Sequence, residues 1–291
     1  EKAIEEGNIT YPEPCDHCHI CDWWQHCDKR LHTDDHISLV ANITRGQRSE
    51  LQRMFGIETL TELGRELLPP GKPVRGSRDG LEKVQHQAEV QLKDRESETP
   101  YFEMLKPLEG KGLYQLPEPD GGDVFFDLEG DPFSGDSPVG SATSLEYLWG
   151  WVTLDDRGKP QYHHTWANNA AQERRSFEAF IDEMISIRIQ HPHMHIYHYA
   201  PYEPGAIKRL MGRCASREKE VDELLRAGVF VDLYLITRQA IRAGVESYSI
   251  KELERFFGYV RQVDLCQVGR PKRTLEALLQ AGCGSEAPEE V

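Results

Sequence analysis

The sequence predicts an α/β protein: a mixed sheet with flanking helices, preceded by a cysteine-rich metal-binding segment and a small helical segment. Three observations lead there. Four of the seven cysteines, Cys15, Cys18, Cys21 and Cys27, crowd together near the start. A stretch of helix-period residues broken by turn residues follows over 38–68. From Asp123 onward short β-rich runs alternate with longer helical ones, and the first of these carries two acids two residues apart, Asp127 and Glu129.

The cysteines stand at x2, x2 and x5 intervals, short enough for successive thiolates to converge on one ion or cluster. In a chain without an export signal such a group binds metal more often than it forms disulfides. Trp23 and Trp24 read as packing over that site. The pattern over 47–55 is helical, Gly56 fits its C-terminus, and Thr59 caps a second short helix. Residues 69–80, with Pro-Pro-Gly and Lys-Pro-Val-Arg-Gly, have linker composition, and 81–95 is a polar helix former. Residues 117–122, Pro-Glu-Pro-Asp-Gly-Gly, mark the entry to the last domain. There, 124–128, 145–154 and 161–166 read as strands, the last two joined by a turn at Asp155-Asp156-Arg157-Gly158. Residues 170–190 form a helix, since Phe177, Phe180, Ile181, Met184 and Ile185 recur at three and four residues and Pro192 closes it. A strand over 195–199, helices over 204–211 and 217–227, a strand over 229–233 and a helix over 249–257 follow.

Side chains alternate along a strand, so Asp127 and Glu129 share one face while Val124, Phe126 and Leu128 favour burial on the other. Two carboxylates at a strand end make half of a site for two divalent cations, which activate water and stabilise the leaving oxygen of a phosphodiester. The same acids beside Gly130-Asp131-Pro132 also fit a solvated strand end and turn. His163, His164, His191, His193, His195 and His198 read as structural, because His195 and His198 fall on opposite faces of a regular strand.

A formal charge of −15 argues against a broad basic surface that binds nucleic acid by charge alone. It leaves room for a nuclease, because acidic metal sites add negative charge and bound cations reverse the local sign. Any contact with nucleic acid is then local and magnesium-dependent. The apolar runs are too short to span a bilayer and the first residues are not a secretory signal, so the chain reads as cytoplasmic, without a membrane partner. A start without Met and an early Pro-containing segment suggest a fragment of a longer protein.

Three meander strands, a helix, a strand, helices and a strand are the order of an RNase H-like domain. Asp127-x-Glu129, the run Tyr197-His198-Tyr199-Ala200-Pro201-Tyr202-Glu203, and Val231-Asp232-Leu233-Tyr234 before Ser247-Tyr248-Ser249-Ile250 resemble the RNase H-like 3′–5′ exonuclease superfamily. More narrowly they resemble the YprB-like ribonuclease H-like domain attached to RecB-like nucleases. His17-Cys18-x2-Cys21-x5-Cys27 is similar to the cysteine spacing that closes the PD-(D/E)XK domain of RecB-like proteins with an iron–sulfur cluster. Ser38-Leu39-Val40-Ala41 and Gly56-Ile57-Glu58-Thr59-Leu60 resemble their helical linker.

The resemblance, which covers about 11–259, implies Mg²⁺ or Mn²⁺ held by Asp127, Glu129 and Glu203, with Asp232 lining the site or orienting a helix end. It also implies a [4Fe–4S] cluster on Cys18, Cys21 and Cys27, with Cys15 the local candidate for the fourth ligand and Zn²⁺ as the alternative. The implied partners are nucleic acid, DNA rather than RNA, and a helicase or another nuclease module. The implied division is a cysteine-rich tail of a RecB-like module over 1–36, a helix-hairpin-helix-like segment over 37–68, a linker with a helix over 69–122, an exonuclease domain over 123–259 and an atypical tail over 260–291. The superfamily's last acidic motif, a Tyr or His and then an Asp on a final helix, has no counterpart after Tyr259, where the short run 274–279 offers only Glu276. The expectation is therefore an incomplete site, a weak nuclease and apolar sheet surface left bare by a missing helix. A non-catalytic nucleic-acid-binding module and a zinc-stabilised interaction protein are the rival readings.

Overall fold

The structure, a computed structural model, describes residues 11–15, 17–18, 21–66, 68–69, 75–135, 143–155, 157–261 and 265–281. His19, Asp156, Asp264, Cys283, the side chain of Cys266 and the tail over 282–291 lie outside the described residues. Contacts divide the chain into two units, Glu1–Lys106 with Ile241–Val260, and Pro107–Ala240 with Arg261–Val291.

In the first unit the cysteine segment runs into α1 (Trp24–Thr33), followed by α2 (Arg45–Phe55), α3 (Leu60–Arg65), α4 (Arg78–Glu96) and β1 (Phe102–Met104). Thr44 with Gln47 and Thr59 with Glu62 form reciprocal capping boxes that satisfy the first amides of α2 and α3. Gly56 ends α2 at φ 72°, a left-handed position that strains any residue with a Cβ. Leu31, Leu51, Leu60, Leu63, Leu81 and Ala88 bury one another between these helices. The polar helix α4 is nonetheless largely buried, because its glutamines find backbone partners. Gln87 Nε2 donates to Ala243 O at 2.9 Å, and Gln91 Nε2 donates to Leu39 O at 2.9 Å. Strand β1 pairs antiparallel with Ile241–Ala243.

The second unit contains β2 (Val124–Gly135), β3 (Thr143–Leu154), β4 (Pro160–Trp166), α5 (Ala170–Gln190), β5 (Ile196–His198), α6 (Tyr202–Cys214), α7 (Glu218–Arg226), β6 (Phe230–Asp232), α8 (Leu233–Ala240) and α9 (Leu265–Gln280). The strand order is β4-β3-β2-β5-β6. The meander β2–β4 is antiparallel, and β5 and β6 join parallel to β2. Phe177, Phe180, Ile181 and Met184 of α5, with Ile207 and Leu210 of α6 and Val221 and Leu224 of α7, cover Val124, Phe126, Leu128, Trp149 and Trp151 on one face. On the other face α8 packs Ile236 against Tyr197 and Val231, and α9 packs Leu275 and Leu279 against Leu145 and Tyr147. This is the mixed α/β sheet with flanking helices that the sequence predicts.

At the C-terminus the chain departs from what its sequence predicts. A 16-residue helix does follow Tyr259, and it covers the sheet surface expected to be bare. Pro271 lies inside it, and with Gly269 it breaks the helical pattern in the sequence. Burial of Leu275 and Leu279, four residues apart on one face, outweighs that local cost. Strand β2 also continues beyond Leu128, past a register shift between Glu129 and Gly130. No described helix is long and apolar enough to cross a membrane.

Candidate active site

The central strand β2 sends Val124, Phe126 and Leu128 into the core, so Phe125, Asp127 and Glu129 point out of the opposite face. Asp127 stands opposite Gly150 of β3. The side chain of Tyr162 lies over that glycine, where a Cβ would come within 3.1 Å of its Oη. Phe125 stacks on Tyr197 with ring centroids 5.1 Å apart, and Tyr162 stacks on His164 at 5.5 Å. Phe125 and Tyr162 remain exposed. An acidic strand face is thus flanked by open aromatic rings.

Glu203 arrives from the first turn of α6. After His198 the chain turns through Ala200 at φ 73°, a strained value for a residue with a Cβ. Asp232 holds that turn: its Oδ1 accepts from Ala200 N at 3.1 Å, Tyr234 N at 2.9 Å and Leu235 N at 3.2 Å. His198 Nδ1 lies 2.6 Å from Ala200 O. The start of α6 is anchored to the sheet, since Tyr202 Oη donates to Glu146 Oε2 at 2.8 Å and Arg209 to Glu146 Oε1 at 3.1 Å. Glu146 fits because Gly130 has no side chain; a Cβ there would collide with its carboxylate.

Glu203 is buried, and its Oε2 has no hydrogen-bond partner, with His198 Nδ1 3.6 Å away. Asp127 keeps an open edge, yet its pKa is pushed up to about 6. The causes are burial first, then the charge of Glu203, then that of Glu129, with the Leu128 amide acting the other way. Two carboxyl groups pressed together in this way hold a proton or call for a cation. Glu129 has a different partner: Lys272 Nζ of α9 lies 2.6 Å from its Oε2. Farther along the strand, Gln280 donates to Asp131 at 2.7 Å.

Among the described residues no group of three or more His, Cys, Asp or Glu side chains forms a ready metal cage. Asp127 and Glu203 nevertheless fit a hard divalent cation, because they offer oxygen donors, mutual repulsion and an orphaned buried oxygen. Of the acids singled out from the sequence, these two are brought together, Glu129 is bonded to a lysine, and Asp232 spends one oxygen on three amides.

In the first unit Cys15, Cys18, Cys21 and Cys27 are free thiols. Cys15 Sγ and Cys18 Sγ stand 4.0 Å apart, close enough to share one thiophilic ion. Successive turns link the segment, with Cys18 N on Cys15 O at 2.9 Å and Cys21 N on Cys18 O at 3.3 Å. Trp23, expected to pack over this site, is instead 73% exposed. Lys272, Tyr162 and Glu146 were not singled out from the sequence, and Gly130 was read there only as part of a solvated turn. Only Gly130, next to the two acids within β2, carried a signal that could have marked one of them.

A five-stranded mixed sheet with acids on the open face of its central strand, and one more acid delivered by the helix after the neighbouring parallel strand, defines an RNase H-like class of domain. Residues 124–268 match the family model described as the RNase H superfamily, and the chain carries an RNase H-like domain. Neither a curated protein nor a solved structure matches the chain.

Proposed function

We propose that the chain is a divalent-metal-dependent nuclease that hydrolyses phosphodiester bonds in unpaired nucleic acid strands, DNA rather than RNA. The observation that carries this reading is the pairing of Asp127, its pKa near 6, with the buried, unpartnered Glu203 oxygen. Asp127 and Glu203 would hold Mg²⁺ or Mn²⁺, which supplies Lewis acidity and lowers the pKa of the attacking water. Water oxygen adds to phosphorus while one ester oxygen leaves and takes up a proton. Asp232 acts at a distance from this chemistry by fixing the Ala200 turn that presents Glu203, while His198, bonded to the same turn, lies 3.6 Å from Glu203 Oε2. Phe125 and Tyr162 offer exposed π-faces on which unpaired bases can stack, and this favours a single strand over a duplex.

The finer assignment is that the exonuclease-like domain is of the YprB-like kind, spanning about 123–259, and belongs with a RecB-like nuclease whose cysteine-rich tail and helical linker precede it. The convergent Cys15 and Cys18 sulfurs support a metal centre there, a [4Fe–4S] cluster or Zn²⁺ completed by Cys21 and Cys27. The deciding assay incubates the full chain with single-stranded DNA, duplex DNA and RNA, with Mg²⁺ and with Mn²⁺, beside the Asp127→Asn protein. Cleavage of single strands that disappears in the variant is expected; equal cleavage by both proteins would place the activity elsewhere.

A further inference from the structure

Hydrolysis at a carboxylate site commonly uses two positive centres, one for the attacking water and one for the leaving oxygen. The three acids of this site are not equivalent in that respect. Asp127 and Glu203 face each other, and among the described residues no Lys or Arg is bonded to either, the nearest basic group being His198 Nδ1 at 3.6 Å from Glu203 Oε2, whereas Glu129 on the same strand face is bonded to Lys272 Nζ at 2.6 Å. That ammonium is held at both ends. Lys272 shares one face of α9 with Leu275, Glu276 and Leu279, and the two leucines are buried against β3. Glu276 Oε1 is 4.0 Å from the same nitrogen, and Gln280 bonds Asp131 farther along β2. An ion pair between half-exposed side chains is ordinarily weak because both must be ordered to meet. Here the docking of α9 has already fixed where Lys272 starts, and the strand fixes where Glu129 ends.

We propose that Lys272 stands in for one of the two cations. The site takes a single divalent ion at Asp127 and Glu203, and the Lys272 ammonium is the fixed second positive charge at Glu129. This rests on the nuclease reading above. A lysine is suited to the place because its ammonium is a compact charge with three donors, enough to keep Glu129 and still meet a phosphate oxygen. The domain would then work with one bound ion, and its second charge would not depend on the metal concentration.

The test is a Mn²⁺ titration of the full chain, counting tightly bound ions by electron paramagnetic resonance. One ion is expected in the wild type, none in Asp127→Asn, one in Lys272→Arg and two in Lys272→Gln, where the freed Glu129 gains an ion. That second ion should lie about 3.5–4 Å from the first and produce a spin-coupled spectrum absent from the wild type. A gained ion cannot result from misfolding, so the glutamine variant is informative even if it is less stable. Two coupled ions in the wild type, or one ion in both the wild type and Lys272→Gln, overturns the substitution of lysine for metal. No tight ion in the wild type and no change in Asp127→Asn would instead overturn the cation site itself, and the nuclease reading with it.

Discussion

Asp127 concentrates the functional demand on this fold in one carboxyl group. Its pKa of about 6 against an ordinary 3.8 means that the folded chain binds this proton more tightly than the unfolded chain does. The resulting stability is complete below the ordinary aspartate range and is lost as the pH rises through about 6. In metal-free buffer the wild type should therefore lose thermal stability between about pH 4 and 6.5, while Asp127→Asn, which cannot ionise, should lose less and melt higher at pH 7.5. Parallel melting curves across that range would show that Asp127 is not under this strain. Divalent metal should reverse the order at pH 7.5 by stabilising only the wild type. Tyr162 makes a separate demand at the same scale. If a base stacks on its exposed ring, Tyr162→Ala should weaken single-strand binding by about 1–3 kcal/mol, on the order of tenfold or more, with Ca²⁺ in place of Mg²⁺ to prevent cleavage. Unchanged anisotropy titrations of a labelled strand would remove it from the interface.

At the scale of elements, the meander, the long helix α5 and the shared face of Asp127 and Glu129 were legible because their signals are local, whereas the strand end expected at these acids lies farther on, at Gly135. Alternation on β2 and the apolar repeat of α5 each specify a face without help from the rest of the chain. Gly56 and Thr59 were equally legible, because a left-handed helix stop and an N-cap have fixed residue preferences. Helix α9 was not, since Gly269 and Pro271 mask a helix that tertiary burial of Leu275 and Leu279 sustains. Lys272 was invisible for the same reason, as its place beside Glu129 exists only once that helix docks. Leu279→Ala should accordingly cost about 2–3 kcal/mol by denaturant unfolding, the ordinary price of a buried leucine truncation. It should also loosen Lys272 from Glu129, so a loss of stability near zero would mean that α9 does not rest on β3. Gly130→Ala tests the opposite edge of the site. Its methyl must displace Glu146 from Tyr202 and Arg209, so a loss of about 1–3 kcal/mol and weaker Mn²⁺ binding through a shifted α6 are expected. Wild-type stability and Mn²⁺ affinity in this variant would show that the Glu146 anchor does not position Glu203. In the cysteine segment, Cys18→Ser should abolish any stoichiometric iron or zinc found by metal analysis of anaerobically purified protein. Undiminished metal content in the variant would move the centre elsewhere.

Across the whole molecule, 49 acidic residues against 34 basic ones give a net charge of −15, and a polyanion approaching such a surface is repelled. The fold answers this locally, since Lys272 places a positive charge beside Glu129 at the open sheet face and Asp127 and Glu203 can add that of a bound cation. The usual nucleic-acid-binding design, many Lys and Arg contacts releasing many counterions, predicts a steep fall of affinity with salt, with a slope of about −0.7 per phosphate neutralised on a single strand. A site that engages a strand through a few charges and aromatic stacking should instead show a shallow dependence on NaCl, with a slope of about −1 to −2. Its response to divalent ions should be strong. At constant ionic strength, adding Mg²⁺ or Ca²⁺ in the millimolar range should raise single-strand affinity on the order of tenfold, because one bound cation cancels carboxylate repulsion at the point of contact. Asp127→Asn should abolish that rise while leaving the NaCl slope unchanged. Anisotropy titrations at four or five salt concentrations, with and without divalent metal, measure both quantities. A slope as steep as that of six or more phosphate contacts, insensitive to divalent metal, would mean that the strand binds a basic surface remote from β2 and that the acidic face is not where nucleic acid is received.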